Sequence, residues 1–318
     1  MFEKIREDYK KSIKSFDTEE NIDLCLFHPA GFAWACFFRN IGITPNIVTI
    51  ASIFIGMAGG ACFYPDNIYI NLVGILLLIW AGMYDGADGM LARLTGQKTE
   101  LGRFLDGIAG DLWFLAIYLA IIFRTNNSVG FFQDHKWVIW VLAISAAICH
   151  SVQAAIADRY RQMHLLFEKG DKGSELDSFE ELKRNYMNLK WNQNFWKKIY
   201  LFLYSGYTKI QVKLSPSMEN LITAIKEKYP CFILPLYLRE DFRKLSFPFC
   251  KWENFMTFNW RAIFLCVLLL TGYPWIYLLV ELSVFNIVLV FVVVYHEKVC
   301  RVMMRLLEYN PNPGQYGK

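Results

Sequence analysis

Six stretches of this chain stay apolar long enough to cross a membrane, and the polar positions between them organise the rest. A hydrocarbon core about 30 Å thick needs about 20 apolar residues in a helix. The first candidate runs over 44–63, where Thr44 suits a helix cap, Pro45 a first turn, and Gly56, Gly59 and Gly60 close helix packing. The second covers 68–93, the third 101–123 and the fourth 136–157, and the last two occupy 259–280 and 282–300, with TGYPWIY as their separator. Residues 21–40 are apolar and aromatic but too short to span, which predicts a helix lying in the interface. Between spans four and five, 161–257 mixes charges with aromatics, as in WNQNFWKKIYLFLYSGY, and Ser215 followed by Pro216 marks a helix start. This pattern predicts interfacial helices; a lid or acceptor-selecting subdomain is the sharper alternative.

The expected fold is therefore an all-α integral membrane protein. It has six transmembrane helices, an N-terminal interfacial amphipathic helix and a helical interfacial insert. Its divisions are 1–43, 44–160, 161–257 and 258–318. Composition agrees, since 55% hydrophobic and 17% aromatic residues in 318 exceed what a soluble domain carries. The N-terminus lacks the apolar core of a secretory signal. Lys and Arg gather in the N-terminus, in 94–103, after 158 and in the C-terminal tail, so both termini and the carboxylate-bearing helix ends are expected on the cytoplasmic side. A net charge of +4 without a basic stripe gives no sign of nucleic-acid binding. The eight cysteines are scattered, with no metal-ligand spacing.

Two features do not belong in plain membrane helices. The second span ends in YDGADGMLAR and the third begins LGRFLDGIAGD, so four aspartates fall near the ends of adjacent spans. An ionised carboxylate at bilayer depth costs about 2.5 to 3.5 kcal/mol, so each needs compensation. Asp85 and Asp88 share one helical face, and a short loop folds Asp106 back towards them. Convergent carboxylates suit hard divalent cations, Mg²⁺ or Mn²⁺. Small residues, among them Gly86, Gly89, Gly102 and Gly107, leave room for a substrate, and Arg93 and Thr99 are suited to hold phosphate oxygens. The structural alternative is a buried ion-pair network with Arg93, Lys98 and Arg103. A cation channel or transporter is a further alternative, against which these carboxylates lie near one face and no second polar layer is evident deeper in the spans.

At these residues the chain resembles the CDP-alcohol phosphotransferase family, whose pattern is DxxDGxxAR, eight residues, then GxxxDxxxD. Asp85, Asp88, Gly89, Ala92, Arg93, Gly102 and Asp106 match it, and Pro45, Asn46 and Thr49 resemble the family's PN-x-x-T segment. The fourth aspartate is displaced: position 110 is Gly110, and Asp111 follows it. A π-bulge between 106 and 111 is predicted to turn Asp111 back into register. The resemblance implies a CDP-linked donor, an alcohol acceptor, membrane lipid as partner, release of CMP, two divalent ions and a tendency to form homodimers. It implies metal binding by Asp85, Asp88, Asp106 and Asp111, with Asp111 also the general base and Asp106 catalytic. It places Asn46, Thr49, Gly89, Arg93 and Thr99 around the CDP.

For the acceptor, His150, Gln153, Arg159 and Arg161 are candidates, joined by Arg261 and His296, and an inositol phosphate is one acceptor that would suit them. Each has an interfacial anchor as its rival role. Two enzyme readings stand: phosphatidyl transfer from CDP-diacylglycerol to a polar alcohol, or transfer of a CDP-linked headgroup to diacylglycerol or ceramide. A non-catalytic, metal-binding membrane scaffold is the third.

Overall fold

The structure is a computed structural model that describes residues 2–97, 99–128, 130–170, 174, 176, 178–190, 195–229 and 232–309. In chain order its helices are α1 (Phe2–Ser12), α2 (His28–Ile41), α3 (Pro45–Ala61), α4 (Ile68–Thr95), α5 (Glu100–Asn127), α6 (Phe131–Asp134) and α7 (Lys136–Lys169). They continue with α8 (Phe179–Asn188), α9 (Phe195–Leu214), α10 (Pro216–Lys228), α11 (Leu236–Phe255), α12 (Phe258–Leu270), α13 (Ile276–Val280) and α14 (Asn286–Tyr309). Single π-helical turns occupy Asp23–Phe27 and Glu281–Phe285. No strand occurs among the described residues, so the all-α expectation holds.

Among the described residues, five helical segments are long and apolar enough to cross a membrane: Ile68–Thr95, Gly102–Asn127, Lys136–Lys169, Leu236–Leu270 and Ile276–Glu308. The sixth expected span is α3, an apolar helix of 17 residues. At 1.5 Å per residue it is about 26 Å long, shorter than a hydrocarbon core. Two boundaries differ from expectation. The fourth span does not stop near 157 but runs on to Lys169. Its polar residues find partners instead of ending the helix: Arg159 reaches Ser215 and Glu219, and His164 reaches Ser246. The last two spans are separated within TGYPWIY as expected, by a turn through Gly272 with φ of 84°, but their bounds differ from 259–280 and 282–300, since the fifth ends at Leu270 and the sixth begins at Ile276.

The chain divides into two compact units, 1–148 with 258–282, and 149–257 with 283–318. In the first, α3, α4 and α5 pack so closely that side chains must be missing at the contacts. A Cβ on Gly56 would lie 2.3 Å from the Trp113 ring, and one on Gly59 2.9 Å from the carbonyl of Gly74. Trp113 itself donates to the carbonyl of Ser52 at 3.1 Å, which fixes the register of α5 on α3. Ile53, Leu78, Ile117, Ile121, Leu265 and Tyr277 are members of one buried cluster around this contact. A second cluster joins Phe32, Ala35 and Phe38 of α2 to Ala87, Met90 and Leu91 of α4. Arg261 is 1% exposed and donates through Nη1 to both oxygens of Glu281, at 2.6 and 2.5 Å. The Tyr277 hydroxyl also donates to Glu281, which satisfies a carboxylate that is fully buried.

In the second unit α10 and α11 pack on α14, and α8 on α9. Helix α10 starts at Pro216 as expected, but Ser215 does not cap it. The Glu297 carboxylate accepts from the backbone N–H groups of Ser217 and Met218 at 2.8 and 3.4 Å. A negative group there complements the helix N-terminus, and the Ser215 hydroxyl is left to bond Arg159.

Candidate metal centre and donor site

The second half of α4 and the first turns of α5 supply the carboxylates. Asp85 and Asp88 are one helical turn apart on α4, and the short 96–99 connection returns the chain as α5 so that Asp106 comes alongside. One oxygen from each of Asp85, Asp88 and Asp106 lies within 4.8 Å of the others. Asp88 is 3% exposed and accepts a hydrogen bond from the Thr49 hydroxyl of α3. Asp85 Oδ1 is buried without any hydrogen-bond partner. A buried carboxylate oxygen left orphaned costs more than most folds tolerate, and a cation supplies the missing partner. The donor set therefore fits a hard divalent ion.

Around this group the motif residues occupy defined places. Thr99 caps α5, its hydroxyl accepting from Gly102 N–H at 2.9 Å and donating to Asn46 Oδ1 at 3.2 Å. A Cβ on Gly102 would sit 2.6 Å from Asn46 Oδ1 and 3.0 Å from the Thr99 hydroxyl, so a larger residue there would displace the Asn46 side chain and disturb this contact. Arg93 lies across Gly89, where a Cβ would meet Nη1 at 3.4 Å. Thus Asn46, Thr99 and Gly102 form one contact set, Thr49 and Asp88 a second, and Gly89 and Arg93 a third.

The expected π-bulge is absent. Helix α5 is α-helical from Glu100 to Asn127, and Asp111 is exposed and outside the carboxylate group. In a regular helix five residues turn the chain by about 500°, so Asp111 emerges about 140° around the axis from Asp106 and about 7.5 Å along it. Gly107 and Gly110 permit an irregular backbone but do not require one, and a Cβ at either would meet open space.

The acceptor candidates other than Arg261 belong to the second unit, where Gln153, Arg159, Arg161 and His296 meet polar partners. Gln153 donates to Asn286 Oδ1 at 2.9 Å, and Arg159 bonds Ser215 at 2.7 Å and Glu219 at 2.5 Å. Arg161 donates to Asn254 Oδ1 at 3.0 Å, and His150 is buried. His296 lies 2.5 Å from Glu253 and stacks on Tyr160 with ring centroids 4.0 Å apart. Arg261 is taken up by Glu281. Lys98 falls outside the described residues. One contact left no trace in the sequence: Arg93 donates to the main-chain carbonyl of Ser12, and a backbone acceptor 81 positions away has no residue signature.

Residues 42–165 match the model of the CDP-alcohol phosphatidyltransferase family, and the carboxylate group, Thr49, Arg93 and Thr99 all lie inside that match. Over these residues, 39% of its length, the chain is similar to the CDP-alcohol phosphatidyltransferase family. It is 37% identical over 91 residues to an archaetidylinositol phosphate synthase of Aeropyrum pernix, covering 27% of this chain and 45% of that protein. It is 42% identical over 67 residues to a protein of the same name from Pyrococcus horikoshii, covering 21% and 34%. It is 27% identical over 99 residues to a ceramide phosphoethanolamine synthase of Drosophila melanogaster, covering 29% and 25%. The chain thus spans less than half the length of these relatives. No solved structure matches it. Five span-length apolar helices among the described residues, together with this family match, indicate an integral, multi-pass membrane protein.

Proposed function

We propose that this protein is a divalent-metal-dependent enzyme of phospholipid synthesis. It transfers a substituted phosphate, the phosphatidyl group of CDP-diacylglycerol, to an alcohol such as inositol phosphate and releases CMP. The observation that carries the reading is the group formed by Asp85, Asp88 and Asp106, with Asp85 Oδ1 buried and unpartnered. These carboxylates would hold Mg²⁺ or Mn²⁺, two ions in the full site. Bound there, such ions polarise phosphoryl oxygens and offset charge on the departing CMP.

The chain's own residues do the rest. Arg93 and Thr99 orient the diphosphate, Gly89 and Gly102 leave room for it beside the backbone, and Asn46 and Thr49 support the nucleotide end. Thr49 also fixes the Asp88 carboxylate. The acceptor oxygen forms its bond to the distal phosphorus as the bond to the CMP oxygen breaks, and CMP takes the electron pair. The hydroxyl proton goes to Asp106, the exposed member of the carboxylate group, because Asp111 emerges about 140° away around a regular α5. Acceptor contacts are assigned to His150, Gln153, Arg159 and Arg161. The active site and both termini face the cytoplasm, and the chain forms homodimers.

The resemblance to a ceramide phosphoethanolamine synthase supports a second reading, in which a CDP-linked headgroup is transferred to diacylglycerol or ceramide. One experiment separates the two. CMP release is measured with purified protein in Mg²⁺ or Mn²⁺, first with CDP-diacylglycerol and inositol, inositol phosphate, glycerol phosphate or serine, then with CDP-ethanolamine and diacylglycerol or ceramide. Acceptor-dependent release that EDTA abolishes establishes the transferase and selects its donor. Silence with every pair overturns both readings and leaves the metal-binding scaffold.

A further inference from the structure

The family motif supplies Arg93 but not what holds it. Its Nε donates to the carbonyl of Ser12 at 2.6 Å. Ser12 is the last residue of α1, so this carbonyl is one that a helix end leaves without an intrahelical partner, and it lies at the negative pole of the helix. A guanidinium is the natural group to satisfy both conditions. Ser12 is fully buried, and its hydroxyl donates back to the Tyr9 carbonyl at 2.7 Å, which closes the end of α1.

Helix α1 is itself docked within the same unit. The Tyr9 ring meets Phe32 of α2 edge-on at 5.2 Å, and Asp8 pairs with Arg39 of α2 at 3.2 Å. Further along, Glu20 and Asp23 accept from Asn259 at 3.2 and 2.8 Å, so the segment is tied down at both ends. With Nε anchored, the plane of the guanidinium is set, and its Nη edge lies over Gly89, beside the carboxylate-bearing face of α4. A free arginine would give up rotamer freedom on gripping a diphosphate; one anchored at Nε has given it up already.

We propose that α1 is a positioning strap, in which the Ser12 carbonyl holds Arg93 so that its Nη edge meets the diphosphate of a CDP-linked donor. This rests on the function proposed above. Ser12 acts only through Arg93, so loosening α1 raises KM for the donor and leaves metal affinity and most of kcat in place.

The test is a double-mutant cycle on the full chain, with CDP-diacylglycerol or, if the donor comparison selects it, CDP-ethanolamine as donor and Mn²⁺ affinity as control. Tyr9→Ala undocks α1, and a deletion of residues 2–12 serves as the second variant should Tyr9→Ala not fold. Each is made with Arg93 present and with Arg93→Ala. The expected result is a KM rise of roughly tenfold with Arg93 present, the cost of ordering one long side chain, and no further rise in the Arg93→Ala background. Equal KM rises in both backgrounds, or a parallel loss of Mn²⁺ affinity, would show α1 to be general support and overturn the strap alone. A native protein that releases CMP from no donor overturns the functional reading, and the strap with it.

Discussion

Replacing Asp85 with asparagine should stabilise the metal-free protein and weaken its response to metal. Oxygens of Asp85, Asp88 and Asp106 lie within 4.8 Å of one another, Asp88 is 3% exposed, and Asp106 is exposed. Two unit charges about 5 Å apart repel by about 3 kcal/mol at an effective dielectric constant of 20. Water beside Asp106 screens the pairs that include it, so the Asp85–Asp88 repulsion dominates, and neutralising Asp85 should return about 1 to 3 kcal/mol. At about 2 °C per kcal/mol for a chain of this size, Asp85→Asn should melt about 2 to 6 °C above the native protein in EDTA. Metal reverses the order. At a hundredfold excess over Kd the native protein gains about 2.7 kcal/mol, most of which the variant loses along with a charged ligand. Melting curves in detergent with EDTA, Mg²⁺ and Mn²⁺ measure both effects. A variant that melts below the native protein in EDTA, yet keeps the full metal-induced rise, would refute the reasoning and mark Asp85 as a structural carboxylate.

Asp111→Asn should leave both turnover and the Mn²⁺-induced rise in Tm unchanged, because Asp111 emerges away from Asp106 on a regular α5; a loss of turnover of about 10²-fold or more, the usual worth of a general base, would return the proton transfer to Asp111. Glu281→Ala removes the carboxylate that the buried Arg261 guanidinium grips and should cost about 3 to 5 kcal/mol, most of it recovered in Arg261→Met/Glu281→Leu; chemical denaturation in detergent measures both. Gly56→Ala pushes a methyl group into Trp113, which other contacts pin, and should lower stability by about 1 to 3 kcal/mol, whereas Gly107→Ala, with open space at its Cβ position, should be close to neutral.

Much of the fold and of the carboxylate group is legible in the residues alone. Apolar runs locate α4 and α5 to within a few residues, because crossing lipid demands length and composition together. The pairing of Asp85 with Asp88 follows from helical periodicity, and the approach of Asp106 from the short loop. What escapes such reading depends on contacts distant in sequence. Helix α7 outruns its apolar stretch because Arg159 and His164 find partners on other helices, which no local window contains. The displaced Asp111 suggests a bulge at Gly107 and Gly110, yet tolerance of irregularity is not a force towards it, and the π-helical turns form at Asp23–Phe27 and Glu281–Phe285 instead. The Ser12 contact is invisible in principle, since every residue carries the same carbonyl.

The buried pair of Arg261 and Glu281 also constrains how the polypeptide enters the bilayer. Each charge alone costs about 2.5 to 3.5 kcal/mol at mid-membrane, but only a tight turn separates α12 from α13, so the two can be released from the translocation machinery already neutralised by each other. The C-terminal hairpin should therefore integrate as one unit, and a ribosome stalled between residues 261 and 281 should leave α12 poorly inserted.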